Sequence, residues 1–428
     1  MYTEKLMVQI LDNENLSAAL KRVKQKKGSP GVDGMEVEEL SSYFAKHGDE
    51  IRKQILQRTY KPHPVLRKEI PKPNGKMRLL GIPTVVDRVI QQAIAQILTP
   101  IYEPQFHPNS YGFRPSRYAE MAILQALDYM NDGYQWVVDI DLERFFDTVN
   151  HDRLMNLIAR TIQDGDVISL IRKYLVSGIQ TDEGYKESEI GTPQGGNLSP
   201  LLSNIMLNEL DKELERRGLR FVRYADDCII FVKSEMSARR VLRNVTYFIE
   251  EKLGLLVNAE KSKIIRPEDP GLKFLGFGFF YNWGAGTYQV KPHQNSMEKF
   301  KLELKELTKR NRGISIKRWI DEINREIRGW INYFRIGKMK KFLGRMDSMV
   351  RRRLRMCIWK QWKTPKARRA NLIKLGMHPN DAYKNSYSSK GIARIAESWV
   401  LTTTLTNKRF KRLGLLFSLI QYQKVHVM

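Results

Sequence analysis

Phe221-Val222-Arg223-Tyr224-Ala225-Asp226-Asp227-Cys228-Ile229-Ile230-Phe231-Val232 is the stretch on which the fold turns. Short apolar runs flank the box Tyr224-Ala225-Asp226-Asp227, a pattern that reads as a β-hairpin with two adjacent carboxylates at its turn. Two acids at a tight turn repel each other and need a compensating cation. A pair of divalent metal ions meets that need, and such ions drive in-line phosphoryl transfer. Asp pairs also serve turns as ordinary hydrogen-bonding punctuation, so the box gains its meaning from its company.

The nearest company lies some 85 residues upstream. Trp136-Val137-Val138-Asp139-Ile140-Asp141-Leu142 reads as a mostly buried strand running into Phe145-Phe146-Asp147. Asp139 and Asp141 are two apart and share a face. A charge facing a core is costly unless it is paired or binds a metal. Asp139, Asp141 and Asp147 are therefore candidates to join Asp226 and Asp227, with strand ends in water as the alternative. For Asp147, close to Asn150-His151-Asp152, a helix cap is an equal alternative. Two-metal nucleotidyl transfer needs carboxylates from separate strands, and a strand acid near 140 with a hairpin pair near 226 supplies them.

Further out, residues 5–27 read as one amphipathic helix leading into the turn-rich Gly28-Ser29-Pro30-Gly31. Glu69 to Leu79 reads as two strands joined by an Asn-Gly turn, inside a patch (51–90) with ten Lys or Arg and two acids. Helices are expected over 151–177, 198–217 and about 236–253, and an aromatic-rich β segment over Leu272–Tyr281. Ile316, Ile320, Ile323, Ile327 and Ile331 mark a helix with a single apolar stripe.

Charge is divided unevenly along the 428 residues. The net charge is +26, and residues 301–428 hold 32 Lys and Arg against 8 Asp and Glu. So basic a C-terminal third predicts a polyanionic partner, nucleic acid before an anionic membrane. Arg351, Arg352, Arg353, Arg355, Lys360, Lys363, Lys366, Arg368 and Arg369 fall within 19 residues, with Trp359 and Trp362 interleaved. Such a stripe suits a phosphate backbone. Two cysteines, Cys228 and Cys357, form no Cys/His cluster, so neither a zinc site nor a disulfide framework is expected. No signal peptide or membrane span is apparent, and the expectation is a soluble protein of a reducing compartment, the bacterial cytoplasm.

Seven motifs in order resemble the reverse transcriptases encoded by group II introns. Arg78 to Pro83 resembles the second block of that family, and Ser110-Tyr111-Gly112-Phe113-Arg114-Pro115 a hallmark of its group II and retron-like branch. Asp141 to Asp147 resembles the third block, Gly191 to Pro200 the fourth, and Tyr224 to Asp227 the fifth. Leu275-Gly276-Phe277 resembles the primer-grip block, and Gly329-Trp330-Ile331-Asn332-Tyr333-Phe334 the maturase, or thumb, segment. The chain is most similar to the compact class IIC type. The resemblance implies that Asp141, Asp226 and Asp227 are catalytic and hold two Mg²⁺ ions. It implies that Phe146 excludes a ribose 2′-OH, that Lys72 and Arg78 hold the incoming triphosphate, and that Gln194 lies beside the nucleotide. One of Phe145 and Phe146 is expected to be plain core.

The expected fold class is α+β, a right-hand polymerase. Residues 1–290 would form fingers and palm, 291–360 a helical thumb, and 361–428 a basic DNA-binding segment. The expected partners are intron RNA, an RNA template with DNA primer, target DNA and dNTPs. The expected activity is RNA-directed DNA synthesis joined to splicing assistance and copying of the intron at a DNA target. A splicing factor with a vestigial polymerase is the alternative, and a domesticated or defence reverse transcriptase a third reading. With only His378 and His426 beyond the thumb, no second-strand endonuclease is expected.

Overall fold

The computed structural model describes residues 5–71, 75, 77–188, 190–192 and 195–426. The chain divides into two compact units, Met1–Arg266 and Pro267–Met428.

The first unit opens with α1 (Leu6–Ile10), α2 (Asn13–Lys26) and α3 (Leu40–Leu56). The single helix expected over 5–27 is broken at Leu11-Asp12. Asp12 takes an extended backbone, and its carboxylate accepts from the Glu14 N–H as N-cap of α2. β1 (Val65–Pro71) and β2 (Met77–Ile82) form the expected antiparallel hairpin, with Leu66 opposite Ile82. Thr84 then starts α4 (Val85–Tyr102): its Oγ1 accepts from the Asp87 N–H at 3.1 Å and donates to the Asp87 carboxylate at 2.7 Å. Buried Asp87 also accepts from the Tyr60 hydroxyl at 2.7 Å, and His63 Nδ1 stands 3.6 Å away.

Next come α5 (Ala119–Asn131), β3 (Trp136–Ile140), α6 (Phe145–Thr148), α7 (His151–Ala159) and α8 (Gly165–Leu175). The helix expected over 151–177 is thus two. Asp164 caps α8 through the Asp166 and Val167 N–H groups, and its other oxygen accepts from the Met7 N–H at 2.9 Å. β4 (Ile179–Thr181), β5 (Gly184–Lys186), α9 (Ser199–Arg216), β6 (Arg220–Tyr224), β7 (Asp227–Val232), α10 (Glu235–Tyr247) and β8 (Lys263–Ile265) complete the unit. The helix expected to 253 ends in a widened π turn over Phe248–Leu253.

Two four-stranded sheets result, in the orders β2-β1-β4-β5 and β6-β7-β3-β8. The second is antiparallel throughout, with β3 between β7 and β8. Val137, Val138, Ile140, Ile229 and Ile230 are each at most 1% exposed, so this sheet is covered on both faces. It reads in sequence as apolar runs rather than clean alternation for that reason.

In the second unit, β9 (Phe277–Asn282) and β10 (Thr287–Pro292) form a hairpin, followed by α11 (Gln294–Leu307), α12 (Ile316–Tyr333) and α13 (Lys340–Gln361). Six shorter helices lie between Pro365 and Val425. Ser315 caps α12, and Ile320, Ile323, Ile327 and Ile331 are its buried stripe. Each such burial is worth roughly 1.5–3 kcal/mol. The Tyr333 hydroxyl donates to the Leu275 carbonyl at 2.9 Å, and the Phe277 ring packs on Tyr333 and Phe334. Two of the sequence motifs, Leu275–Phe277 and Gly329–Phe334, therefore share one core.

Candidate active site

Tyr224 and Asp227 pair across the β6–β7 hairpin, leaving Ala225 and Asp226 as its turn. Ala225 takes a left-handed φ of 57°. Strand register does the rest. Ile140 on β3 faces Cys228 on β7, and Asp139 on β3 faces Lys263 on β8. Continuing both antiparallel ladders one step past β3 carries Asp141 toward Asp227 on one side and Lys261 on the other.

Lys261 Nζ lies 3.0 and 3.2 Å from the two Asp141 carboxylate oxygens, and Lys263 Nζ lies 4.0 Å from Asp139. The loop is fixed by backbone contacts as well: the Asn258 N–H donates to the Asp141 carbonyl at 2.8 Å, and the Asp141 N–H to Ser262 Oγ at 3.1 Å. Burial pushes Asp139 up to about 6, opposed by Lys263 and reinforced by Asp141. Burial raises Asp226, with Asp141 adding to the rise and Arg78 and Arg223 opposing it. Asp227 is pushed up to about 7, by burial first and then by the charges of Asp226, Asp139 and Asp141, against Lys261. The site thus concentrates more negative charge than its lysines balance.

Among the described residues, no three His, Cys, Asp or Glu side chains stand gathered as a ready metal-ligand set. Asp141 is held instead by Lys261, which supplies one positive charge to the cluster. The donors fit a hard divalent cation in kind, since all are carboxylate oxygens.

Phe145 is core, 2% exposed, while Phe146 lines a cavity of about 200 Å³ together with Arg67, Leu79, Gly81, Arg144 and Thr192. Asp147 also borders this cavity, and the cap of α7 falls to Asn150, whose side chain accepts from the Arg153 N–H. Arg78 lies on β2, and its charge acts on Asp226. Gly195 (φ 127°) approaches β2 so closely that a Cβ would meet the Gly81 carbonyl at 2.8 Å. Lys72 and Gln194 lie outside the described residues.

The basic stripe belongs to the second unit, and much of it is engaged with the protein itself. Arg353 donates to Thr308 Oγ1 and the Lys305 carbonyl, Arg355 to the Leu405 carbonyl, and Arg368 to the Trp362 carbonyl. Arg351 donates to Ser348, and Arg352 pairs with Glu397. Lys360, Lys363, Lys366 and Arg369 are exposed. Arg369 lies over the Tyr383 ring. Trp359, read in the sequence as part of the stripe, is 1% exposed and belongs to the core, with Arg368 over its ring.

Sequence reasoning missed Arg67, Arg144, Lys261 and Lys263. For the lysines a signal existed: their two-residue spacing matches that of Asp139 and Asp141, as it must for antiparallel partners.

Residues 70–279 match the family described as reverse transcriptase (RNA-dependent DNA polymerase), and residues 297–376 match the maturase-specific domain of group II introns. Protein YkfC of Escherichia coli is 35% identical over 64% of this chain and 82% of its own length. The group II intron-encoded protein LtrA of Lactococcus lactis is 40% identical over half of this chain and 35% of its own length. A putative COX1/OXI3 intron 2 protein of Saccharomyces cerevisiae is 30% identical over 64% of this chain and 39% of its own. The chain thus spans little more than a third of the length of these two intron proteins.

Proposed function

The chain belongs to the reverse transcriptases of the group II intron type, and from that premise we propose that it copies RNA into DNA at the carboxylate cluster of its first unit. Nucleotidyl transfer by this family generally uses a divalent metal. Two Mg²⁺ ions held by Asp141, Asp226 and Asp227 would lower the pKa of the primer 3′-OH and neutralise the leaving pyrophosphate. The chain's own groups do the rest. Lys261 releases Asp141 as positive charge arrives. Lys72 and Arg78 hold the dNTP triphosphate, and Gln194 lies beside the nucleotide. Phe146 excludes a ribose 2′-OH by steric clash, which favours dNTPs over rNTPs. The exposed bases of the second unit take up nucleic acid: intron RNA, template with primer, and target DNA. On this reading the protein also assists splicing of its intron and copies it at a DNA target, in the bacterial cytoplasm. Residues 1–290 serve as fingers and palm, 291–360 as thumb and 361–428 as the DNA-binding segment.

One observation supports the proposal: strand register carries Asp141 toward Asp227, next to Asp226 in the turn, and burial together with the charge of Asp141 raises both Asp226 and Asp227. The test is primer extension on an RNA template with dNTPs and Mg²⁺, wild type against Asp226→Ala/Asp227→Ala. Extension by wild type alone is expected. No extension by wild type, with RNA binding retained, would overturn the polymerase reading in favour of an RNA-binding splicing factor.

A further inference from the structure

Beneath the catalytic turn lies a buried ion pair that no step of the proposed reaction uses. Arg223 on β6 and Asp211 on α9 are both 0% exposed. The guanidinium is fully engaged. Its Nε donates to Asp211 Oδ1 at 2.7 Å, and Nη2 donates to Asp211 Oδ2 at 2.5 Å and Ser110 Oγ at 2.7 Å. Its Nη1 donates to Asn204 Oδ1 at 3.1 Å and to the Ala225 carbonyl at 2.9 Å. Five N–H groups thus meet five acceptors, the full capacity of an arginine.

The last of these contacts matters most. Ala225 is the left-handed residue immediately before Asp226. A non-glycine residue persists in that conformation only when its surroundings over-determine it. The surroundings here come from the Ser110-Tyr111-Gly112 segment. The Tyr111 N–H donates to the Arg223 carbonyl at 2.9 Å, the Arg223 N–H to the Asn109 carbonyl at 2.9 Å, and Asn204 Nδ2 to the Gly112 carbonyl at 2.8 Å. Gly112 itself lies against the Ala225 backbone N.

We propose that Arg223 is a positioning residue for the catalytic turn, acting through the Ala225 carbonyl and aimed by Asp211, Asn204 and Ser110. The Ser110–Gly112 motif is then the floor on which the turn rests. A buried ion pair is a poor source of stability compared with apolar residues of similar volume. Its use here is geometric: the planar fork fixes a direction that a packed methyl group does not. The proposal rests on the reading of Asp226 and Asp227 as the catalytic acids.

The experiment uses the full chain and three variants: the apolar exchange Arg223→Met/Asp211→Leu, Arg223→Lys, and Asp226→Ala/Asp227→Ala. Thermal unfolding, kcat and KM for dNTP, the Mg²⁺ concentration for half-maximal rate, and Mn²⁺ binding by electron paramagnetic resonance are measured for each. The apolar exchange is expected to stay folded while kcat falls about ten- to a hundredfold, the loss that attends ångström-scale misplacement. Mn²⁺ binding weakens and the Mg²⁺ requirement rises, with KM for dNTP held within about threefold. A folded variant with wild-type kcat and wild-type Mn²⁺ affinity overturns the proposal. Should the exchange fail to fold, Arg223→Lys carries the same criteria, since it keeps the charge but cannot span five acceptors from one nitrogen. If Asp226→Ala/Asp227→Ala still polymerises, the reading of the site fails and the proposal with it. If that variant is inactive and both Arg223 variants match wild type, only the positioning role falls.

Discussion

Gly112→Ala tests how tightly the Ala225-Asp226 turn is located, because the added atom strikes only backbone. A Cβ there would stand 2.2 Å from the Ala225 N, 2.8 Å from the Tyr224 carbonyl carbon and 3.0 Å from the Ala225 Cα. Ordinary contact begins near 3.4 Å, so the two segments must part by about an ångström. Gly112 does not take a left-handed φ, so alanine brings no backbone strain of its own. Overpacking of this kind costs roughly 1–3 kcal/mol. At about 2–4 °C per kcal/mol for a unit of this size, Tm should fall by roughly 2–12 °C. The effect on chemistry is larger, since displacing reacting groups by about an ångström costs on the order of a hundredfold in rate. Primer extension assayed well below the variant's Tm should therefore show kcat reduced about a hundredfold in a fully folded protein. A kcat within threefold of wild type, with Tm lowered as expected, would refute the reasoning, because the turn would then have moved without consequence.

Lys261→Met removes the cation bound to Asp141 and should tighten Mn²⁺ binding several-fold, read directly by titration; unchanged or weaker binding would show that Lys261 does not compete. His63 is raised above its ordinary 6.5, chiefly by the Asp87 carboxylate 3.6 Å from its Nδ1 and despite partial burial. A raised folded-state pKa gives stability that is complete below 6.5 and lost as pH rises through the folded value. The Tm advantage of wild type over His63→Ala should accordingly shrink as pH rises above 6.5, and a constant advantage would discount the ion pair. Replacing Lys360, Lys363 and Lys366 by Gln should flatten the salt dependence of duplex binding by about 0.9 in log–log slope for each phosphate that is no longer neutralised. An unchanged slope would place the nucleic acid elsewhere.

The hairpin, the acidic strand and the isoleucine stripe were legible because each is a local pattern whose period equals that of its element. The α1–α2 break was not. Amphipathic spacing runs straight through Leu11-Asp12 and masks the local cap that Asp12 makes with the Glu14 N–H. The break before α8 is similar: Asp164 binds the Met7 N–H from the far end of the unit, a contact invisible to any local window. Within the site, Asp141 and the Asp226–Asp227 pair could be read from spacing and resemblance. Lys261 left a fainter trace, its spacing from Lys263, because a lysine in a polar loop is ordinarily a solvated charge until the β3–β8 register makes it a partner. Basic residues at 351–369 show the opposite case. Arg353, Arg355 and Arg368 cap carbonyls of their own unit, a use that charge counting cannot separate from phosphate binding.

The Arg223–Asp211 pair also constrains how this sequence can change over time. Losing either partner alone strands a buried charge at about 3–5 kcal/mol. Against a typical folding margin of about 5–15 kcal/mol, that single step removes roughly a fifth of the margin at least and all of it at most. An apolar pair of the same volume could fold as well, yet no neutral one-step path reaches it. Charged and apolar versions of this core are separate peaks with a valley between them, and a lineage with a thin folding margin crosses it only when both codons change together.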